Sequence, residues 1–119
     1  MTPETIRIIG EELKAAYPTA IAALDGNRRL VELPEVDFPK GCRPGTGSAL
    51  IVLDPNTPKP EVYLREVPVL PSGNRVSAGT VLVAGQTWQT FSFNVAWEED
   101  KHTAVQFLEA KLARLRRGA

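Results

Sequence analysis

Between Pro34 and Gly47 the chain carries Pro34, Pro39, Gly41, Pro44, Gly45 and Gly47, six helix-breaking residues within fourteen. A stretch of that kind excludes a helix and predicts a loop with little regular structure. What flanks it must therefore fold as separate short elements. Upstream, Thr2-Pro3-Glu4 reads as a helix start, with Thr2 as cap and Pro3 at the first helical position. Ile6, Ile9, Leu13 and Ala16 recur at helical spacing, and Arg7, Glu11, Glu12 and Lys14 fall mostly on the other face. Tyr17-Pro18 ends this helix, because a residue before proline avoids the α region.

From Thr19 the periodicity changes. Thr19–Leu24, the turn Asp25-Gly26-Asn27 and Arg28–Leu33 together read as a hairpin, since the turn residues tolerate positive φ. Beyond the Pro/Gly stretch, Ser48–Leu53 and Glu61–Val69 have strand length and composition, with Pro68 marking an edge or a strand exit. Pro71-Ser72-Gly73-Asn74 is a turn, and Val76–Val83 is a further strand candidate. Gln86–Ala96 alternates, with Trp88, Thr90, Ser92 and Asn94 on one face and Thr87, Gln89, Phe91, Phe93 and Val95 on the other. It predicts a half-buried strand or an extended segment over the core. His102–Arg117 reads as a second helix with the stripe Val105, Leu108, Leu112 and Leu115, and Gly118 as its stop. Helix, about four to five antiparallel strands, helix is an α+β order, with the helices on one face of the sheet.

A chain of 119 residues has room for one core, so residues 1–119 are read as a single domain. Fourteen basic residues balance fourteen acidic ones, which argues against a general nucleic-acid binder. The arginines Arg114, Arg116 and Arg117 are explained by the helix dipole. One cysteine, Cys42, and one histidine, His102, supply too few ligands for a zinc site, so no metal or cofactor is expected. No leader pattern opens the chain and no apolar run spans a bilayer, so the expected location is the cytoplasm, away from membranes.

Catalytic signatures are sparse. Phosphate loops, nucleophile elbows and paired metal-ligand motifs are missing from the sequence. His102 falls near a helix start, where a cap or surface role suffices, and Glu98, Glu99 and Asp100 suit the same helix N-terminus. Cys42 sits between Gly41 and Arg43 in a loop expected to be exposed. Lys40 and Arg43 would favour its thiolate, while an inert or half-buried thiol is the plainer reading. Trp88 and Trp97 read as core aromatics more readily than as binding platforms.

The passage Ser48–Val76, SALIVLDPNTPKPEVYLREVPVLPSGNRV, resembles the ubiquitin-conjugating (E2) family, in particular its bacterial E2-like branches. In that family a strand ends at a Pro-rich step, the next strand follows at once, and a His-Pro-Asn turn comes after it. Here the step is Asp54–Pro60, the next strand is Glu61–Val67 and the turn is Leu70–Asn74. Phe38-Pro39-Lys40-Gly41 and Gly85-Gln86-Thr87-Trp88-Gln89 resemble one bacterial subfamily, and the two terminal helices fit the family order. The resemblance implies a UBC-like α+β fold, an E1-like adenylating enzyme and a ubiquitin-like protein as partners, and acyl transfer through a cysteine thioester. The cysteine is what this chain lacks. Roughly eight residues after the turn, the family position falls on Thr80 or Leu82, and Cys42 lies far upstream. The resemblance therefore implies either a non-cysteine transferase, with Thr80 as acceptor and Ser72 or Asn74 steadying an oxyanion, or an inactive E2-shaped binding module. Read from the residues alone, Thr80 is a strand threonine with its methyl packed. An α+β binding or assembly domain unrelated to ubiquitin transfer is the competing expectation.

Overall fold

Thr2 caps the first helix as its position predicts. The computed structural model describes residues 1–75, 78–91 and 103–113, and in it the Thr2 hydroxyl accepts from the Thr5 N–H at 3.1 Å. That bond satisfies one of the orphan donors of α1 (Pro3–Ala16). At the other end the Tyr17 N–H donates to Leu13 O at 2.8 Å, and Pro18 allows no further turn. Ile6, Ile9 and Leu13 are buried, whereas Ala16, the last member of the expected stripe, is exposed.

Six strands follow: β1 (Ile21–Asp25), β2 (Arg28–Asp37), β3 (Thr46–Leu53), β4 (Glu61–Leu64), β5 (Ala78–Val83) and β6 (Gln86–Phe91). They form one sheet in the order β1-β2-β3-β4-β6-β5, with every ladder antiparallel. The described sheet thus has one strand more than the largest number expected. Its first four strands are neighbours in chain order, and the β5–β6 hairpin then joins through β6. Two-residue turns close both outer hairpins, with Gly26 at φ 63° in one and Ala84 and Gly85 at φ 48° and 81° in the other. The second helix, α2 (Ala104–Ala113), packs beside α1, so the order is α+β as expected. Among the described residues no helix is long and apolar enough to cross a membrane.

The Pro34–Gly47 stretch corrects the sequence reading. Residues Arg28 to Asp37 form one strand that contains Pro34, and Thr46 and Gly47 already belong to β3. Proline is tolerated because the β2–β3 register shifts between Leu33 and Val36, a bulge that needs no ladder N–H at that point. The Ser48 hydroxyl donates to Pro34 O at 2.8 Å there. Gly47 is required by packing, since a Cβ on it would stand 2.7 Å from the Phe38 ring. Strand β4 is also shorter than expected, ending at Leu64 well before Pro68. Trp97, His102 and the segment of Arg114, Arg116 and Arg117 lie outside the described residues.

Alternation along each strand divides the apolar residues between two faces. Under the helices, Val31, Leu33, Ile51, Leu53, Val62 and Leu64 meet Leu13, Leu108 and Leu112 in the main core. Each such side chain contributes about 1.5–3 kcal/mol when fully buried, so this layer dominates stability. On the opposite face Leu30, Leu50, Val52 and Val83 surround Trp88, which confirms Trp88 as a core aromatic.

Candidate functional site

After β4 the chain does not enter a strand directly. Val67 is buried, and its N–H donates to the Gln89 side-chain oxygen on β6 at 2.6 Å. Val69 then bridges two segments, Arg43 on one side and Arg75 on the other. The first bridge is complete, with Arg43 N–H to Val69 O at 2.9 Å and Val69 N–H to Arg43 O at 2.8 Å. Between Val69 and Arg75 lies the turn Leu70–Asn74. It is closed by Leu70 N–H to Asn74 O at 2.7 Å and by Gly73 N–H to Leu70 O at 2.8 Å. Gly73 sits at φ 91°, where a side chain would be strained. Pro71 packs on Gly41, where a Cβ would come within 3.0 Å of the proline ring.

The turn therefore lies against the loop that carries Cys42, which sequence spacing alone had kept apart. Cys42 is not exposed as its loop suggested. It is 6% accessible and belongs to the main core, because the Arg43–Val69 bridge pulls the loop down over the sheet. The thiol thus lies out of solvent, and not in the open loop in which Lys40 and Arg43 were expected to act on it.

Ser72, Asn74 and Thr80 are all exposed. The Ser72 hydroxyl accepts from the Asn74 N–H at 3.4 Å, so it serves the turn. Thr80 lies on β5, at the edge of the sheet, with its backbone opposite Gln89. Its ladder neighbours are Gly79, Val81, Gln89 and Thr90, none of which is a base able to take a hydroxyl proton. Gln89 faces Thr80 in register, and its side chain holds Val67, three residues ahead of the turn. No family model, curated protein or solved structure matches the chain.

Two further features come from residues remote in sequence. A groove of about 590 Å³ opens between the end of α1, the β2–loop junction and α2, with Tyr17, Glu35, Asp37, Phe38, Glu109 and Leu112 among its walls. Partial burial, reinforced by Glu109 and Asp37, raises the Tyr17 phenol above its ordinary range. On the far face Arg65 lies 4.2 Å over the Trp88 ring and donates to the Gln86 side chain at 2.8 Å. Neither was singled out from the sequence. Alternation of Glu35 and Asp37 about the buried Val36 is the one local signal for the groove. Among the described residues no group of three metal-ligating side chains occurs.

Proposed function

We propose that this chain is an E2-shaped component of a bacterial ubiquitin-like conjugation system, one that engages an E1-like enzyme and a ubiquitin-like protein without a cysteine thioester. The supporting observation is the path of the chain from β3 to the Leu70–Asn74 turn. Strands β3 and β4 pair in register on either side of the Pro-rich step, from Ala49 opposite Leu64 to Val52 opposite Glu61. A helix precedes four sequentially paired strands, and a fixed turn follows them, which is the order the resemblance implies. The reading without a thioester is supported by Cys42 lying in the core and by Thr80 standing opposite Gln89 in the β5–β6 ladder. Of the two variants, binding without transfer fits that environment better than an oxyester on Thr80.

Incubation with the E1-like enzyme, ATP and the ubiquitin-like protein tests the reading. A non-covalent complex with no adduct is the expected result. A reductant-resistant, hydroxylamine-labile adduct that disappears in Thr80→Ala establishes oxyester transfer instead. An adduct lost in Cys42→Ala defeats the proposal, and failure to bind either partner favours an assembly domain unrelated to conjugation.

A further inference from the structure

Strand β1 is an edge of the sheet, and Ile21, Ala22, Ala23 and Leu24 are all exposed. Proteins ordinarily guard such an edge with lysine, proline or a bulge. Residues 21–24 contain no lysine or proline, and the ladder to β2 runs unbroken from Ile21–Glu32 to Asp25–Arg28. Leu24, 75% accessible, is the most exposed of the large apolar side chains on the described surface.

The ladder also fixes which backbone groups the edge offers. Asp25 and Arg28 close a two-residue turn and must exchange both bonds, so alternate residues Ala23 and Ile21 also face β2. The N–H and C=O of Ala22 and of Leu24 therefore point outward. On the helix side of this edge lies a groove of about 430 Å³ between α1 and β1, walled by Gly10, Glu11, Lys14, Ala15, Ala22 and Arg29. Its apolar wall is made of the small residues Gly10, Ala15 and Ala22.

We propose that β1 pairs antiparallel with β1 of a second copy of this chain, about a two-fold axis at Ala23. This register sets Ala22 opposite Leu24 of the second copy and Leu24 opposite its Ala22. All four outward groups of each strand are then bonded. Shifting by two residues either way leaves half of them facing Gly26 in the turn or Ala20, whose N–H already donates to Tyr17 O. Opposed residues in an antiparallel pair share a face, so Leu24 of one copy stands beside Ala22 of the other, at the mouth of the groove. Each copy thus supplies both the knob and the hole, as a two-fold interface requires. The groove wall carries Glu11 beside Lys14 and Arg29, and the chain's formal net charge is zero, so no large like charge opposes the approach of two copies.

Sedimentation of the full chain over a range of concentrations tests this. The expected species has twice the 13.0 kDa chain mass. Leu24→Asp should weaken self-association roughly 100-fold, the scale of losing a central apolar contact to an unpaired charge. Leu82→Asp on the other edge strand, where the leucine is 70% accessible, should leave it unchanged. Ala23→Cys should cross-link two copies on oxidation, because non-hydrogen-bonded partners sit about 4.5 Å apart, within disulfide reach, while Ala22→Cys should not. A monomer at every concentration overturns the proposal. So does dissociation by Leu82→Asp, an unchanged mass in Leu24→Asp, or cross-linking through Ala22→Cys in place of Ala23→Cys.

Discussion

Both tyrosines hold their protons beyond the ordinary phenol range, and for related reasons. Tyr63 is raised first by burial and then by its hydrogen bond to Glu61, whose negative charge adds to the effect, while Arg28 opposes it. Tyr17 is raised by burial, with Glu109 and Asp37 adding repulsion. The unfolded chain loses these protons near pH 10, before the folded one does. Their contribution to stability is therefore complete below that pH and declines as the pH climbs through the folded values. Ultraviolet titration of phenolate should show both rings ionising late, and Glu61→Gln should bring Tyr63 earlier while leaving Tyr17 unmoved. A single ordinary transition for both rings contradicts this. At Ala84 the backbone is left-handed, at φ 48°, and the side chain is exposed. A non-glycine residue there costs about 1–2 kcal/mol, so Ala84→Gly should raise stability by up to about 1 kcal/mol once the extra freedom of the unfolded glycine is subtracted. The denaturant midpoint measures it.

Helix α1 and the β1–β2 hairpin were readable because their signals are local, whereas β5 and β6 were legible only as separate extended segments. Thr2, Pro3 and Tyr17-Pro18 define the helix ends, and Asp25-Gly26-Asn27 defines one turn, by chemistry confined to a few residues. Thr2→Ala removes the acceptor for the Thr5 N–H and should cost about 1 kcal/mol, read as a lower midpoint with fraying of the first turn. Strand β2 was cut short at Leu33 because Pro34 reads as a strand break, and the bulge that accommodates it exists only once β3 is alongside. The loop of Cys42 was expected to be exposed, with the thiol at most half-buried, for a similar reason. Its burial depends on the Arg43–Val69 bridge, between residues far apart in the chain. The groove around Tyr17 needs three separate segments before any of it exists. The candidate site was thus legible as a turn and a strand threonine, while the place of Gln89, opposite Thr80 and bonded to Val67 ahead of the turn, was not.

Taken as a whole, the molecule is a four-strand meander under two helices, with a hairpin added at one side. The addition is slender. Strand β6 meets β4 in register only at Leu64 and Gln89, whereas β2 and β3 pair along most of their length. Among the described residues the Leu64–Gln89 pair is supplemented by the Gln89–Val67 and Arg65–Gln86 bonds and by Trp88 and Val83 packed against Leu30, Leu50 and Val52, with Arg65 covering the indole ring. Elements with few ladder bonds to the rest of the sheet and a small apolar anchor open below the global unfolding free energy. Native-state hydrogen exchange should therefore find the amides of β5 and β6 opening before those of β2 and β3. Truncating the anchor should widen the gap. Trp88→Ala carries a cost of about 3–5 kcal/mol when the loss is felt by the whole fold. If the hairpin opens as a unit, that cost appears at the β5–β6 amides while the meander and α1 retain much of their protection. Equal loss of protection across all six strands would mean instead that Trp88 is part of one indivisible core, and that the hairpin cannot move without unfolding the rest. The distinction bears on the proposed partner binding, because Thr80 and the Val67–Asn74 segment are joined through this same hairpin. A hairpin that opens alone lets the two halves of the candidate site separate while the meander stays folded.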